Sequence, residues 1–256
     1  MSTVIYDLSK MPTTFDFVAF AVNAKTLGAH QVHFAINGEI QSWKYPKDTA
    51  WKRFGNIVIP ICRLAGLEYT VGGMRDGMTC SYLNKDLIAL YKQNGRLEQL
   101  KPTRKVEDTE YITVTLRDSN RNVQRNSNMP AWTRFVETVR GRGMKVVVLA
   151  ECEHQPIDIE HRFALYHNAQ MNLGVSGGPM ALCHHSSAPY ITINMNPPND
   201  GNAQYDNTRV LKAHGLDHEG AQWPWRTARQ ILVWEPDSYE NIIRAYDDMM
   251  CERMAA

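Results

Sequence analysis

Two segments of the chain carry residues whose types and spacing could do chemistry. Arg117-Asp118-Ser119-Asn120-Arg121-Asn122-Val123-Gln124-Arg125-Asn126-Ser127-Asn128 sets three arginines four residues apart among amides and hydroxyls. A planar guanidinium can hold two oxygens of a phosphate at once, so this loop is suited to an anion; the alternative is a solvated loop whose arginines pair with Asp118 or Glu137. Leu173-Gly174-Val175-Ser176-Gly177-Gly178-Pro179-Met180-Ala181-Leu182 reads as a buried strand, a glycine turn and a helix with Pro179 in its first turn. Backbone N–H groups in such a turn can approach an anion closely, and a helix N-terminus favours negative charge. The shared ligand would be the diphosphate of a nucleotide. Arg117 and Arg125 would stabilise it, with Asn126, Asn128, Ser176, Gly177, Gly178, Pro179 and Met180 around it. Glu151, which opens Glu151-Cys152-Glu153-His154 after a strand end, could touch the ribose or base or could belong to a solvated loop.

The elements that must position these residues alternate between apolar runs and helical patterns, the mark of an α/β fold with a largely parallel sheet. Strands are expected at 15–20, 31–36, 68–71, 111–116, 145–150, 173–175, 189–193 and 230–234. A helix is expected over 49–64, because Phe54, Ile57, Val58, Ile61 and Leu64 recur at three and four residues; Pro60 should kink or split it. Further helices are expected over about 130–140 and 159–172. Residues 94–108 are polar and aperiodic, the candidate linker. Residues 196–220, rich in Asn, Pro, Asp and Gly, read as a long loop or lid. Asp237 and Glu240 have the spacing of a capping box at the start of the closing helix.

Composition narrows the function classes. The 256 residues carry a formal net charge of +1, so nucleic-acid binding would need a local basic patch. No apolar run reaches the roughly 18 residues of a membrane span, and the first residues lack the basic start and apolar stretch of a signal peptide. The five cysteines are scattered without a CxxC pair, so neither a zinc knuckle nor a disulfide framework is expected. A reducing, cytoplasmic setting is the simplest expectation.

Other polar residues have structural readings beside the chemical ones. Tyr166, Met171 and Leu173 read as core, and His184 and His185 as core or surface histidines. His214 and His218 are four apart, but Gly215 interrupts the helix a metal would need and no third ligand is evident; no metal is expected. Trp223-Pro224-Trp225 reads equally as a packing lid or a stacking platform for a sugar or base.

The order of arginine-ended strand, helix, strand, helix and strand–Gly-Gly-Pro-Met resembles the nucleotide-binding half of GT-B glycosyltransferases, in particular the heptosyltransferases and the α1,6-fucosyltransferase group. It is similar also to bacterial glycosyltransferase-like proteins with an R–N–S–N–x–x–W segment, here Arg125-Asn126-Ser127-Asn128 with Trp132, and an L-Y through G-P-M segment, here Leu165-Tyr166 to Met180. The resemblance covers residues 110–250 well and the first hundred weakly. Where heptosyltransferases generally place Asp-Thr-Gly, Ser176-Gly177-Gly178 stands, so no aspartate contact carries over.

The resemblance implies two small Rossmann-like halves with mostly parallel sheets and a cleft between them: residues 1–105 for the acceptor, 106–256 for a nucleotide-sugar donor. The implied reaction is metal-independent transfer of a sugar from that donor to an acceptor hydroxyl, with no cofactor. Each well-placed donor to the departing diphosphate could contribute about 3 kcal/mol. The acceptor needs a general base; Asp16, His30, His33 and Asp76 are available, and Asp76, in the loop after a strand, is preferred. The alternatives are a non-catalytic nucleotide- or glycan-binding protein of the same fold, or a sugar transferase acting on DNA.

Overall fold

A computed structural model of the chain describes residues 2–40, 46–120, 122–151, 158–197 and 207–255. Two compact units divide it: residues 1–105 with 156–164, and residues 106–155 with 165–256.

The first unit is built on a four-stranded parallel sheet of β1 (Ser2–Asp7), β2 (Ala29–Ala35), β3 (Glu68–Gly72) and β4 (Met78–Thr79), in the order β3-β2-β1-β4. Its inner strand β1 has no counterpart among the expected elements. The run at 15–20, expected as the first strand, instead opens helix α1 (Phe17–Thr26). Every residue from Phe17 to Ala24 is buried. A helix covered on all sides shows no amphipathic period, so its apolar run is indistinguishable from a buried strand. The Tyr6 ring on β1 meets Phe17, Phe20 and Phe34 edge-on, at centroid distances of 4.9, 4.7 and 5.9 Å.

The expected helix over 49–64 is α2 (Lys47–Arg53) and α3 (Ile59–Leu64) joined by a wider π turn, Phe54–Val58. Pro60 has no N–H to close a bond onto the preceding turn, and the widened turn accommodates that loss. Helix α4 (Asn84–Asn94) ends at Gly95, whose φ of 70° is left-handed and whose N–H is donated to the Tyr91 carbonyl at 2.8 Å. Residues 95–110 then carry neither helix nor strand.

The second unit has a five-stranded sheet, also parallel throughout: β5 (Tyr111–Arg117), β6 (Lys145–Glu151), β7 (Met171–Val175), β8 (Tyr190–Ile193) and β9 (Gln230–Leu232). Their order is β6-β5-β7-β8-β9. Among the described residues its helices are α5 (Met129–Gly141), α7 (Ala181–His184), α8 (Asn207–Ala213) and α9 (Tyr239–Ala255), while α6 (Ile159–Asn168) starts among the residues of the first unit and only its last turn, from Leu165, belongs to the second. Trp132, Phe135 and Val139 of α5 pack on Ile112 and Val114 of β5 and on Tyr246 and Met249 of α9. Helix α6 ends four residues before Asn172, the expected limit, because Met171 and Asn172 already belong to β7. Fully buried Asn172 accepts from the Thr113 hydroxyl at 2.6 Å and donates to the Tyr166 and Pro189 carbonyls, both at 2.8 Å.

The expected capping box at Asp237 does not form. Ser238 starts α9, its hydroxyl accepting from the Asn241 N–H at 3.2 Å. Asp237 is buried and accepts from the Asn128 N–H at 2.7 Å, the Trp132 indole at 2.8 Å and the Asn194 amide at 3.1 Å. That carboxylate joins the starts of α5 and α9 to the end of β8. Asp237→Ala would leave three donors without their acceptor, at a cost of about 3 kcal/mol, whereas Ser238→Ala should cost about 1 kcal/mol. Urea unfolding midpoints of the two variants test that ordering.

Candidate functional site

In the second unit, the chain leaves β5 toward β6 on one side, while β7 lies on the other. At such a reversal the loops leaving two neighbouring strands diverge, and ligands of open α/β sheets bind in the crevice outside their carboxyl ends. The arginine loop follows β5 and the glycine turn follows β7, so both segments singled out in the sequence lie at this edge.

The loop after β5 is closed by its own polar residues. Ser127 donates its N–H to the Arg117 carbonyl at 2.9 Å and accepts the Arg117 N–H on its hydroxyl at 2.8 Å. Asn126 does the same for Ser119, accepting at 3.1 Å and donating at 2.9 Å. Between them Asn122 adopts a left-handed φ of 51°, which asparagine tolerates better than most residues, and opens a single turn of 3₁₀ helix, Val123–Arg125. Asn128 caps α5, its side chain accepting from the Ala131 N–H at 3.4 Å. Asn126 and Asn128 thus shape the loop with the groups the sequence offered to a ligand.

Arg125 then crosses to the other strand. Its Nη2 donates to the Ser176 carbonyl at 2.6 Å. Arg117 is buried at the end of β5, and in register opposite Glu151, the last residue of β6. Arg121 and the segment Cys152-Glu153-His154 lie outside the described residues.

The glycine turn differs from expectation in one respect. Residues Gly178–Met180 form a 3₁₀ turn that runs into the four residues of α7. A helix this short has little dipole, so anion binding here would rest on turn N–H groups and arginine. Gly177 is extended, with φ −138° and ψ 165°. Pro179 and Met180 are buried; the side chain of Met180 is wholly so and belongs to the core. A Cβ at Gly174 would sit 3.1 Å from both the Met180 sulfur and the Thr115 carbonyl, so glycine there lets Met180 fold over the sheet.

The four proton acceptors considered in the first unit separate by position. His30 is exposed near the amino end of β2. His33 is buried, with Nδ1 2.8 Å from the Thr70 hydroxyl and Nε2 2.9 Å from the Gly73 carbonyl, which occupies both ring nitrogens. Asp76 is exposed and precedes Met78, which pairs with Val4, so it lies toward the amino end of β1. Asp16 is half-buried in the loop leaving the carboxyl end of β1, directly before α1, and accepts from the Thr14 hydroxyl at 2.7 Å.

Trp223-Pro224-Trp225 packs against the buried histidines. The two indoles stack at 5.2 Å, Trp225 stacks on His185 at 5.6 Å, and its Nε1 donates to the His184 carbonyl at 2.9 Å. His184 Nε2 lies 2.9 Å from the Thr192 hydroxyl. Helix α8 ends before His214, and His218 is exposed beside Asp217. Among the described residues no three His, Cys, Asp or Glu side chains gather as a metal site.

No protein-family model matches the chain, and no curated protein matches it. Solved structures do. The iron-containing dodecameric glycosyltransferase TibC from enterotoxigenic E. coli H10407 aligns over 98% of this chain and 76% of its own, at 9% identity and TM-score 0.53. The E. coli heptosyltransferase WaaC with ADP aligns over 98% of this chain and 99% of its own, at 10% identity and TM-score 0.50. TibC in complex with ADP-D-β-D-heptose aligns at 8% identity over 100% of this chain and 78% of its own, TM-score 0.50. The fold is that of the GT-B heptosyltransferases. Among the described residues no helix is long and apolar enough to cross a membrane.

Burial lowers the pKa of His184 and of His185 to about 3, reinforced by neighbouring His214 and, for His185, by His184. An unfolded histidine titrates near 6.5. The unfolded chain therefore binds protons that the folded chain does not, and stability falls as pH drops below about 6.5 toward 3. Between pH 6.5 and 5.5, above the carboxylate range, the urea midpoint should fall with pH, and less steeply in a His184→Gln/His185→Gln variant.

Proposed function

We propose that the second unit binds the diphosphate of a nucleotide sugar at the crevice between β5 and β7, and that the protein transfers the sugar to an acceptor hydroxyl. The observation that carries this reading is the Arg125–Ser176 contact, which holds the arginine loop against the glycine turn where the strand order reverses. Sugar transfer leaves negative charge on the departing diphosphate. Fixed donors at that point lower the barrier most because they need no reorganisation as charge develops. The N–H groups of Gly177 and Gly178 and the guanidinium of Arg125 would supply them, with Arg117 adding positive charge at the end of β5. These groups could perform the step without a metal.

The acceptor hydroxyl must lose a proton, and of the two aspartates considered for this, Asp16 is the one we assign to it. It stands at the carboxyl edge of its own sheet, while Asp76 stands toward the opposite edge. The ADP and ADP-heptose held by the heptosyltransferases of this fold make adenosine diphosphate the first nucleotide to try.

Calorimetric titration tests the reading. ADP or another nucleoside diphosphate should bind the wild type, and Arg125→Ala should weaken that binding roughly tenfold or more. Arg125→Lys should recover only part, because a point charge cannot reproduce the fork. Asp16→Asn should leave nucleotide binding intact and abolish transfer while sparing donor affinity. No response to any nucleoside diphosphate would overturn the proposal.

A further inference from the structure

A cavity opens at the same edge of the second unit's sheet, beyond β8 and β9 and away from the β5–β7 crevice. Asn196 follows β8, Trp234 follows β9, and Thr208, Leu211, Leu216, Asp217, His218 and Glu219 complete a hollow of about 220 Å³. Cavities of about 150 Å³ accommodate a benzene ring, and those for drug-sized ligands begin near 300 Å³. One six-membered ring is the size that fits.

The walls differ in chemistry. Trp234 is half-buried, and its indole is fixed in place because Nε1 donates to the Ala221 carbonyl at 3.1 Å. Buried Leu211 and Leu216 continue this apolar side. The rest is polar and exposed: Asn196, Thr208, Asp217, His218 and Glu219. Asp217 holds His218 at 2.7 Å, and that contact keeps its carboxyl below the usual carboxylate range, so it is ionised at neutral pH.

We infer that this cavity is a binding site for one uncharged sugar ring, separate from the diphosphate site. A sugar presents an axial C–H face, which suits the negative face of an indole. Its equatorial hydroxyls are donors, which suit two carboxylates, an amide and a hydroxyl. The two carboxylates oppose a phosphate or any other anion. A flat nucleobase would bring two apolar faces to a cavity with one aromatic wall among the described residues, and few donors for its carboxylates. This inference stands on the cavity alone and survives a failure of the transferase reading.

The test is saturation-transfer NMR with a panel of uncharged methyl glycosides (glucoside, galactoside, mannoside and heptoside), with adenosine and ADP as separate arms. At least one glycoside should bind at millimolar strength. Trp234→Ala should weaken it about tenfold and Trp234→Phe much less. Asp217→Asn and Glu219→Gln, at exposed positions that can be changed without disturbing the core, should weaken it too. ADP binding should be unaffected in all four variants, which separates this cavity from the nucleotide site. Absence of binding by every glycoside, binding unchanged in the Trp234 and carboxylate variants, or displacement of the sugar by adenosine would each overturn the inference.

Discussion

Arg125 reaches from the loop after β5 to the Ser176 carbonyl at the end of β7, and the arrangement of the second unit's ligand edge depends on that bond. Eleven residues, all but Val123 polar, separate β5 from α5 and would otherwise sample many conformations, since each ordered residue costs about 1–2 kcal/mol of backbone entropy. Ser127 and Asn126 bracket the backbone of Arg117 and Ser119, and Asn128 hands its N–H to buried Asp237. The loop is therefore tied at its base, at its middle and at its far end. A guanidinium held this way is already positioned when an anion arrives, which is the condition for stabilising charge that develops during a reaction.

The same edge presents two places of opposite chemical character. The crevice at the strand-order reversal gathers arginines and backbone donors, while the cavity beyond β8 and β9 gathers carboxylates beside one indole. Opposite charge character would direct a diphosphate to one and an uncharged ring to the other. At the amino end of β7 Asn172 satisfies its buried polar neighbours, and at the carboxyl edge Asp237 ties Asn194, just after β8, to the start of α5.

Much of the second unit was legible in the sequence because its strands and helices obey separate periods. The runs at 111–116 and 145–150 are apolar and bounded by polar loops, and α5 has a clear apolar face through Trp132, Phe135, Val136 and Val139. The first unit was harder to read. α1 is buried on every side through Ala24 and reads as a strand, and β1 is a short run that no expected element covers. In the site, the pairing of the arginine loop with the glycine turn could be anticipated from strand ends. Asp237 could not: its spacing to Glu240 imitates a helix cap, and only the fold brings Asn128, Trp132 and Asn194 to its oxygens. Trp234 reads as an ordinary strand residue because nothing local marks the cavity beside it.

The most direct test of the central claim is the position of the phosphates in a crystal of the protein grown with a nucleoside diphosphate. The expected density lies between the turn N–H groups of Gly177 and Gly178 and the guanidinium of Arg125, outside the carboxyl ends of β5 and β7. Phosphate density elsewhere on the molecule, with Arg125 still seated on Ser176 and no ligand at that crevice, would contradict it.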